Sequence, residues 1–207
     1  MYKAGKRILD IIISLVAIIL FLPLGLVLLV LIYMEDHESP IYHHPRVGAG
    51  RKMFNLYKFR SMVKNADDIL FSDPELLKKL RSGSNKLVND PRITKIGRFI
   101  RKYSIDEVPQ FLNVLMGDMS FVGPRPYRPD ELEKYERGES ERIKNIDIVL
   151  SVKPGITGLW QTGGRSEVLF DDRIFIEIDY AKRCSLLLDL YIIVKTPFAV
   201  LKAKGAL

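Results

Sequence analysis

A single cysteine, Cys184, stands in a chain of 207 residues, which excludes an internal disulfide framework and any four-cysteine zinc site. Histidine is almost as scarce. The only three, His37, His43 and His44, crowd one short window. Neighbouring side chains of a strand point to opposite faces, so no tetrahedral metal site is expected there. Internal repeats and low-complexity tracts are absent, and the length leaves no room for a multi-domain machine. Acidic residues are outnumbered, 25 against 32 lysines and arginines, for a net charge of +7. Such a surplus suits an anionic partner, whether nucleic acid, an acidic bilayer face or a phosphorylated substrate.

Charge is also missing from one long stretch. Between Ile8 and Tyr33 only Asp10, Ser14, Pro23 and Gly25 interrupt the apolar residues. Lys3, Lys6 and Arg7 in front of it resemble the basic start of a secretory signal. The run is too long for the apolar part of such a signal and no small-residue cleavage site follows, so it reads as a retained anchor. As one straight helix it would extend ~39 Å, enough to cross a hydrocarbon core of ~30 Å. Pro23, near the middle, removes one backbone donor and clashes with the carbonyl four residues earlier, and Gly25 weakens the same turn. The arms on either side, ~22 Å and ~15 Å long, are each too short to span. Two arrangements stay open: a crossing helix, and one that enters, bends at Pro23 and leaves on the same face. Basic residues on both flanks, including Arg46, Arg51 and Lys52 beyond the run, are compatible with both ends in the cytoplasm.

The remainder reads as a soluble domain. Short strand-like segments from Ile41 to His44 and from Met53 to Arg60, separated by Gly48 and Gly50, predict a hairpin. Alternation places Lys58 and Arg60 on one face, side by side, where they form either a solvated strand end or a phosphate clamp. Helices are expected at 65–71 and around 74–80, then a polar connection at 81–86. From Thr94 to Tyr103 an apolar face (Ile96, Phe99, Ile100) opposes a basic one (Lys95, Arg98, Arg101), the pattern of a helix lying on a membrane or on a core. Ser104-Ile-Asp-Glu-Val-Pro-Gln110 follows at the start of a helix running to Met116. Its bland account is a capping box between Ser104 and Glu107, or an N-cap at Asp106, which suits Pro109 better. The alternative is functional, because two adjacent carboxylates at a helix N-terminus stay ionised near donors that welcome phosphate. Prolines forbid regular structure around Arg125, and the charged stretch 129–144 reads as a solvated helix face. Turn-forming residues from Lys153 to Gln161, and Gly163-Gly-Arg165, could bring Arg165 to an anion. Pro197 is expected to cut the apolar C-terminal stretch into two short segments suited to an interface.

Taken together, Tyr57-Lys-Phe-Arg-Ser-Met62, Asp90-Pro-Arg-Ile-Thr-Lys-Ile-Gly97, Asp106-Glu107-Val-Pro-Gln110, Gly117-Asp-Met-Ser120, Gly123-Pro-Arg-Pro126, Pro154-Gly-Ile-Thr-Gly158 and Gly164-Arg165 resemble the monotopic phosphoglycosyl transferases, the bacterial sugar transferases. The resemblance runs from the anchor to the C-terminus. It implies an α+β fold, mostly helical, with a re-entrant membrane helix over 1–36, a small β-hairpin and interfacial amphipathic helices. Residues 37–207 would then form a cytosolic, membrane-associated catalytic domain. The implied activity is transfer of a sugar 1-phosphate from a UDP-sugar to polyprenyl phosphate, of the undecaprenyl kind, with release of UMP. Asp106 is implied as the nucleophile that carries a covalent phosphosugar, Glu107 as its partner at a magnesium site that both carboxylates share. Arg60, Arg101, Arg125 and Arg165 match basic residues that surround the phosphates; Lys58 joins them from strand alternation alone, and Pro23 marks the membrane bend.

The implied partners are the UDP-sugar, polyprenyl phosphate and the bilayer, without nucleic acid and with a homodimer left open. The implied place is the cytoplasmic face of a bacterial inner membrane, in the first membrane step of glycoconjugate synthesis. Leu22 stands where the family often has serine before the bend proline, and His44 where glutamine is expected. Arg183-Cys184 replaces a common asparagine-tryptophan pair. The stretch from Gly155 to Glu167 leans towards galactose or glucose, and the chain is expected to lack the extra N-terminal helices of longer members. The competing reading is a membrane-tethered basic adaptor that grips anionic lipid or nucleic acid without turnover; it explains anchor and charge, but not an acidic pair among arginines.

Overall fold

A computed structural model describes residues 2–76, 78, 90–163 and 170–202. Helix α1 (Tyr2–Asp36) is one continuous helix, with Pro23 inside it rather than in a break between two arms. A single proline costs one backbone bond, and the long apolar flanks keep the helix going. Its middle is bare, with Ile19 and Leu20 about 70% exposed, whereas both ends meet the rest of the protein. Strands β1 (Ile41–Val47) and β2 (Met53–Phe59) form the expected antiparallel hairpin, with Tyr42 opposite Lys58 and Arg46 opposite Phe54. Gly50, at φ 62°, takes the left-handed conformation that closes it.

Helix α2 (Ala66–Ser72) lies where periodicity predicts it; residues 74–76 and 78 are helical as expected, while residues 77, 79 and 80 and the connection 81–86 fall outside the described residues. Helix α3 (Lys95–Lys102) is capped by Thr94, whose hydroxyl accepts from the Gly97 N–H at 2.8 Å. A short 3₁₀ turn (Ile105–Glu107) leads into α4 (Gln110–Met116), which Gly117 ends at φ 92°. Strand β3 (Ser120–Val122) pairs in parallel with β4 (Gly155–Thr157), a contact invisible in the turn-like sequence around each.

Between them, α5 (Pro129–Glu136) and α6 (Ser140–Val149) carry the solvated face expected of 129–144, with Asp130, Glu133, Lys134, Glu141 and Lys144 exposed, and add a buried one. Leu132, Tyr135, Ile146 and Val149 are buried with Val47, Tyr127, Ile174 and Ile178 as a main core cluster, while Ile143 stays exposed. Charged residues outnumber those anchors in the sequence, yet only one face of each helix has to be apolar. Helices α7 (Leu159–Gly163), α8 (Phe170–Arg183) and α9 (Leu186–Lys202) complete the order. Pro197 does not divide α9, contrary to expectation. Buried Ile192 and the Thr196 hydroxyl, 2.8 Å from that of Thr157, hold this helix to the body.

Candidate active site

The acidic pair is built from three directions. Helix α3 ends at Tyr103, and Ser104 turns the chain through the left-handed region at φ 55°. No side-chain hydrogen bond caps at Ser104, so the capping box with Glu107 does not form. Asp106 is not the N-cap of α4 either; Pro109 occupies that position, where its missing N–H costs nothing. Ile105 and Val108, which bracket the two acids, pack against a cluster of Leu28, Ile32, Phe59 and Ile100. The end of α1 therefore forms part of the floor under the carboxylates.

Asp106 is buried, 9% exposed. Burial, above all, pushes its pKa up to about 6; Lys58 pulls it down, Glu107 pushes it up and Arg101 pulls it down. The Lys58 ammonium lies 2.7 Å from Glu107 Oε1 and 3.8 Å from Asp106 Oδ2, an ion pair to both but a hydrogen bond only to the first. Two adjacent carboxylates that already share one cation offer the hard oxygen donors magnesium takes. No cluster of three or more His, Cys, Asp or Glu is found among the described residues. A pair suits magnesium, which draws its other ligands from phosphate and water.

Of the other expected site residues, Arg101 is brought within electrostatic reach of Asp106. Arg60 has partners other than those of Lys58: it pairs with Asp36 and reaches the Ile32 and Glu38 carbonyls, fastening the end of β2 to the end of α1. Arg125 sits in a second cluster, over the Trp160 ring with its Nε buried and unpartnered. Arg165 lies outside the described residues. The Asp90-Pro-Arg92 motif is a clamp, with Arg92 Nε and NH2 donating to the two Asp90 oxygens at 2.9 and 2.6 Å.

Sequence reasoning missed Glu177. It is fully buried, accepts from the Arg125 backbone N–H at 2.9 Å and from the Tyr127 hydroxyl, and is pushed up to about 7, chiefly by burial. Its signal was available: a carboxylate on the stripe that also carries Ile174 and Ile178.

The chain belongs to the bacterial sugar transferase family, whose model matches residues 1–203. It is similar to the undecaprenyl-phosphate galactose phosphotransferase of Salmonella typhimurium, 44% identical over 204 residues that cover 97% of this chain and 41% of that protein. It resembles the UDP-galactose-lipid carrier transferase of Erwinia amylovora at 43% over 205 residues, with 97% and 41% covered. Exopolysaccharide production protein ExoY of Rhizobium meliloti is 38% identical over 206 residues, covering 98% of this chain and 88% of that protein. The chain thus spans about two fifths of the first two relatives and most of the third.

Proposed function

We propose that this protein transfers a sugar 1-phosphate from a UDP-sugar to polyprenyl phosphate, through a covalent phosphosugar on Asp106. The observation that carries the reading is a buried carboxylate raised to about 6, beside a second acid and a lysine, in a chain whose relatives bear the names given above. An Asp106 oxygen attacks the sugar-bearing phosphorus, the bond from that phosphorus to the bridging oxygen breaks, and UMP leaves with the bonding pair. An oxygen of the lipid phosphate then attacks the same phosphorus and releases the Asp106 carboxylate. Above pH 6 Asp106 is ionised and able to attack, while Lys58 offsets charge gathering at the phosphate. Magnesium held by Asp106 and Glu107 would supply the further positive charge that a diphosphate requires.

The seating of α1 supports a re-entrant helix. At its start, the Lys6 ammonium bonds Asp189 at 2.8 Å and the Val122 carbonyl at 2.9 Å, and Arg7 donates to the Val114 and Leu115 carbonyls. At its end, Leu28 and Ile32 are buried and Asp36 pairs with Arg60. Both ends meet one polar body, which a straight crossing of a ~30 Å core would separate. With the nucleotide donor made in the cytoplasm, that body faces the cytoplasm. Purified protein mixed with a UDP-sugar and no acceptor should gain the mass of a sugar phosphate and release UMP, and lipid phosphate should then discharge it. Turnover with no adduct, and with UMP appearing only when acceptor is present, would replace the covalent route by direct transfer.

A further inference from the structure

Away from the acidic pair, four arginines crowd one region with too few acceptors. Arg125 and Arg173 lie over the same Trp160 ring, at 5.9 and 4.6 Å from its centre. Their charges both act on buried Tyr127 and Glu177. Arg46 is held down to about 10, first by burial and then by the charge of Arg125, with Arg128 adding to the repulsion. Against these stand Glu131, 4.0 Å from Arg46 and 3.7 Å from Arg128; Glu177, occupied by Tyr127 and the Arg125 backbone; and the exposed Asp130, 3.0 Å from Arg128. Arg46 Nε and NH1, Trp160 Nε1, and the Nε atoms of Arg125, Arg128 and Arg173 are buried with no acceptor. A native structure seldom leaves such donors unmet, because each has given up its water.

The hairpin links this region to the carboxylates. Tyr42, His44 and Arg46 alternate onto the face of β1 where Tyr42 stands opposite Lys58. The fields of Arg46 and Arg128 both reach the Tyr42 hydroxyl. Arg46 and Lys58 thus share one face, with four strand positions or ~13 Å between them. The surrounding core draws on β1, α5, α6 and α8 and contains no residue of α1. Guanidinium forks are matched by phosphate oxygens.

We propose that Arg125 and Arg173 over Trp160, with Arg46 and Arg128 beside them, bind the nucleotide phosphate of the donor, the part that leaves as UMP. The assignment rests on the function proposed above, with Lys58 and the acids taking the sugar-bearing phosphate. Binding is therefore tested without turnover: the full chain in detergent, in chelator, titrated with UMP, UDP and inorganic phosphate by calorimetry. Wild type should bind UMP and UDP, more weakly as salt rises. Arg46→Gln and Arg173→Gln should each weaken UMP about tenfold or more, the scale of one lost charged hydrogen bond. Arg137→Gln, on the exposed surface, should match wild type, and Asp106→Asn should retain UMP. If a glutamine variant fails to fold, Arg46→Lys and Arg173→Lys keep the charge, lose the fork and should still bind UMP less tightly.

Equal UMP affinity in wild type and arginine variants, or none in wild type, overturns the site and leaves the transfer reaction standing. Arginine-dependent UMP binding with no turnover on any UDP-sugar would instead keep the site and remove the reaction. Inorganic phosphate binding as tightly as UMP would deny a nucleotide site. So would phosphatidylglycerol vesicles, but not phosphatidylcholine vesicles, engaging the same arginines where UMP does not.

Discussion

Asp106 is held in a state that costs stability. Its carboxyl titrates near 4 when free and near 6 in the fold, so the folded protein binds the extra proton between those values. Stability contributed by the neutral form is complete below about pH 4 and is lost as pH rises through 6. Asp106→Asn should therefore stabilise the fold at pH 7.5, by on the order of 3 kcal/mol at most for a shift of this size, and so raise the melting temperature, while turnover falls about a thousandfold or more. Thermal melts and UMP release on the same samples check both; a destabilised, active variant would return Asp106 to structure. Activity of wild type should fall on an acid limb near pH 6. Lys58→Met removes a cation that pulls Asp106 down, so that limb should move to higher pH in a pH–rate profile.

Among the elements, α3 carries a strict fit that its amphipathic pattern conceals. A methyl on Gly97 would overlap the Ser61 carbonyl, whose oxygen already accepts from the Thr94 N–H at 3.1 Å. Gly97→Ala should cost several times what Thr94→Ala does, the latter about 1 kcal/mol for a lost cap, in denaturant unfolding read by circular dichroism. Periodicity was enough for the hairpin, α2 and α3, because in each the apolar spacing and the capping or turn residues agree. For α5 and α6 it showed the solvated face and not the buried one, which a few apolar side chains among many charges supply. It could not supply the β3–β4 pair, since three-residue strands carry no period and their partnership is set by Gly123 and Gly155 passing backbone to backbone. The acidic pair was legible as chemistry, but the partner of Arg60 was not, because Asp36 meets it only through the tertiary fold.

For the whole molecule, the placement of α1 decides how chemistry meets the bilayer. With Cys184 replaced by serine, single cysteines at Lys3 and Ser39, both exposed, should react with an impermeant thiol reagent from the cytoplasmic side only. Labels on opposite sides would establish a crossing helix. Pro23→Ala restores the missing donor and should move part of the population towards crossing in the same assay. The two fastened ends have a mechanical meaning. A chain moored at one end is a leash, with slack to swing its cargo towards or away from the membrane. Moored at both, with Leu28 and Ile32 beneath the turn that bears Asp106, it is a rigid mount without slack. In the proposed reaction the height of the carboxylate above the lipid would be a fixed dimension of the protein, and a lipid acceptor would travel to it by lateral diffusion, making bilayer thickness a variable of the rate.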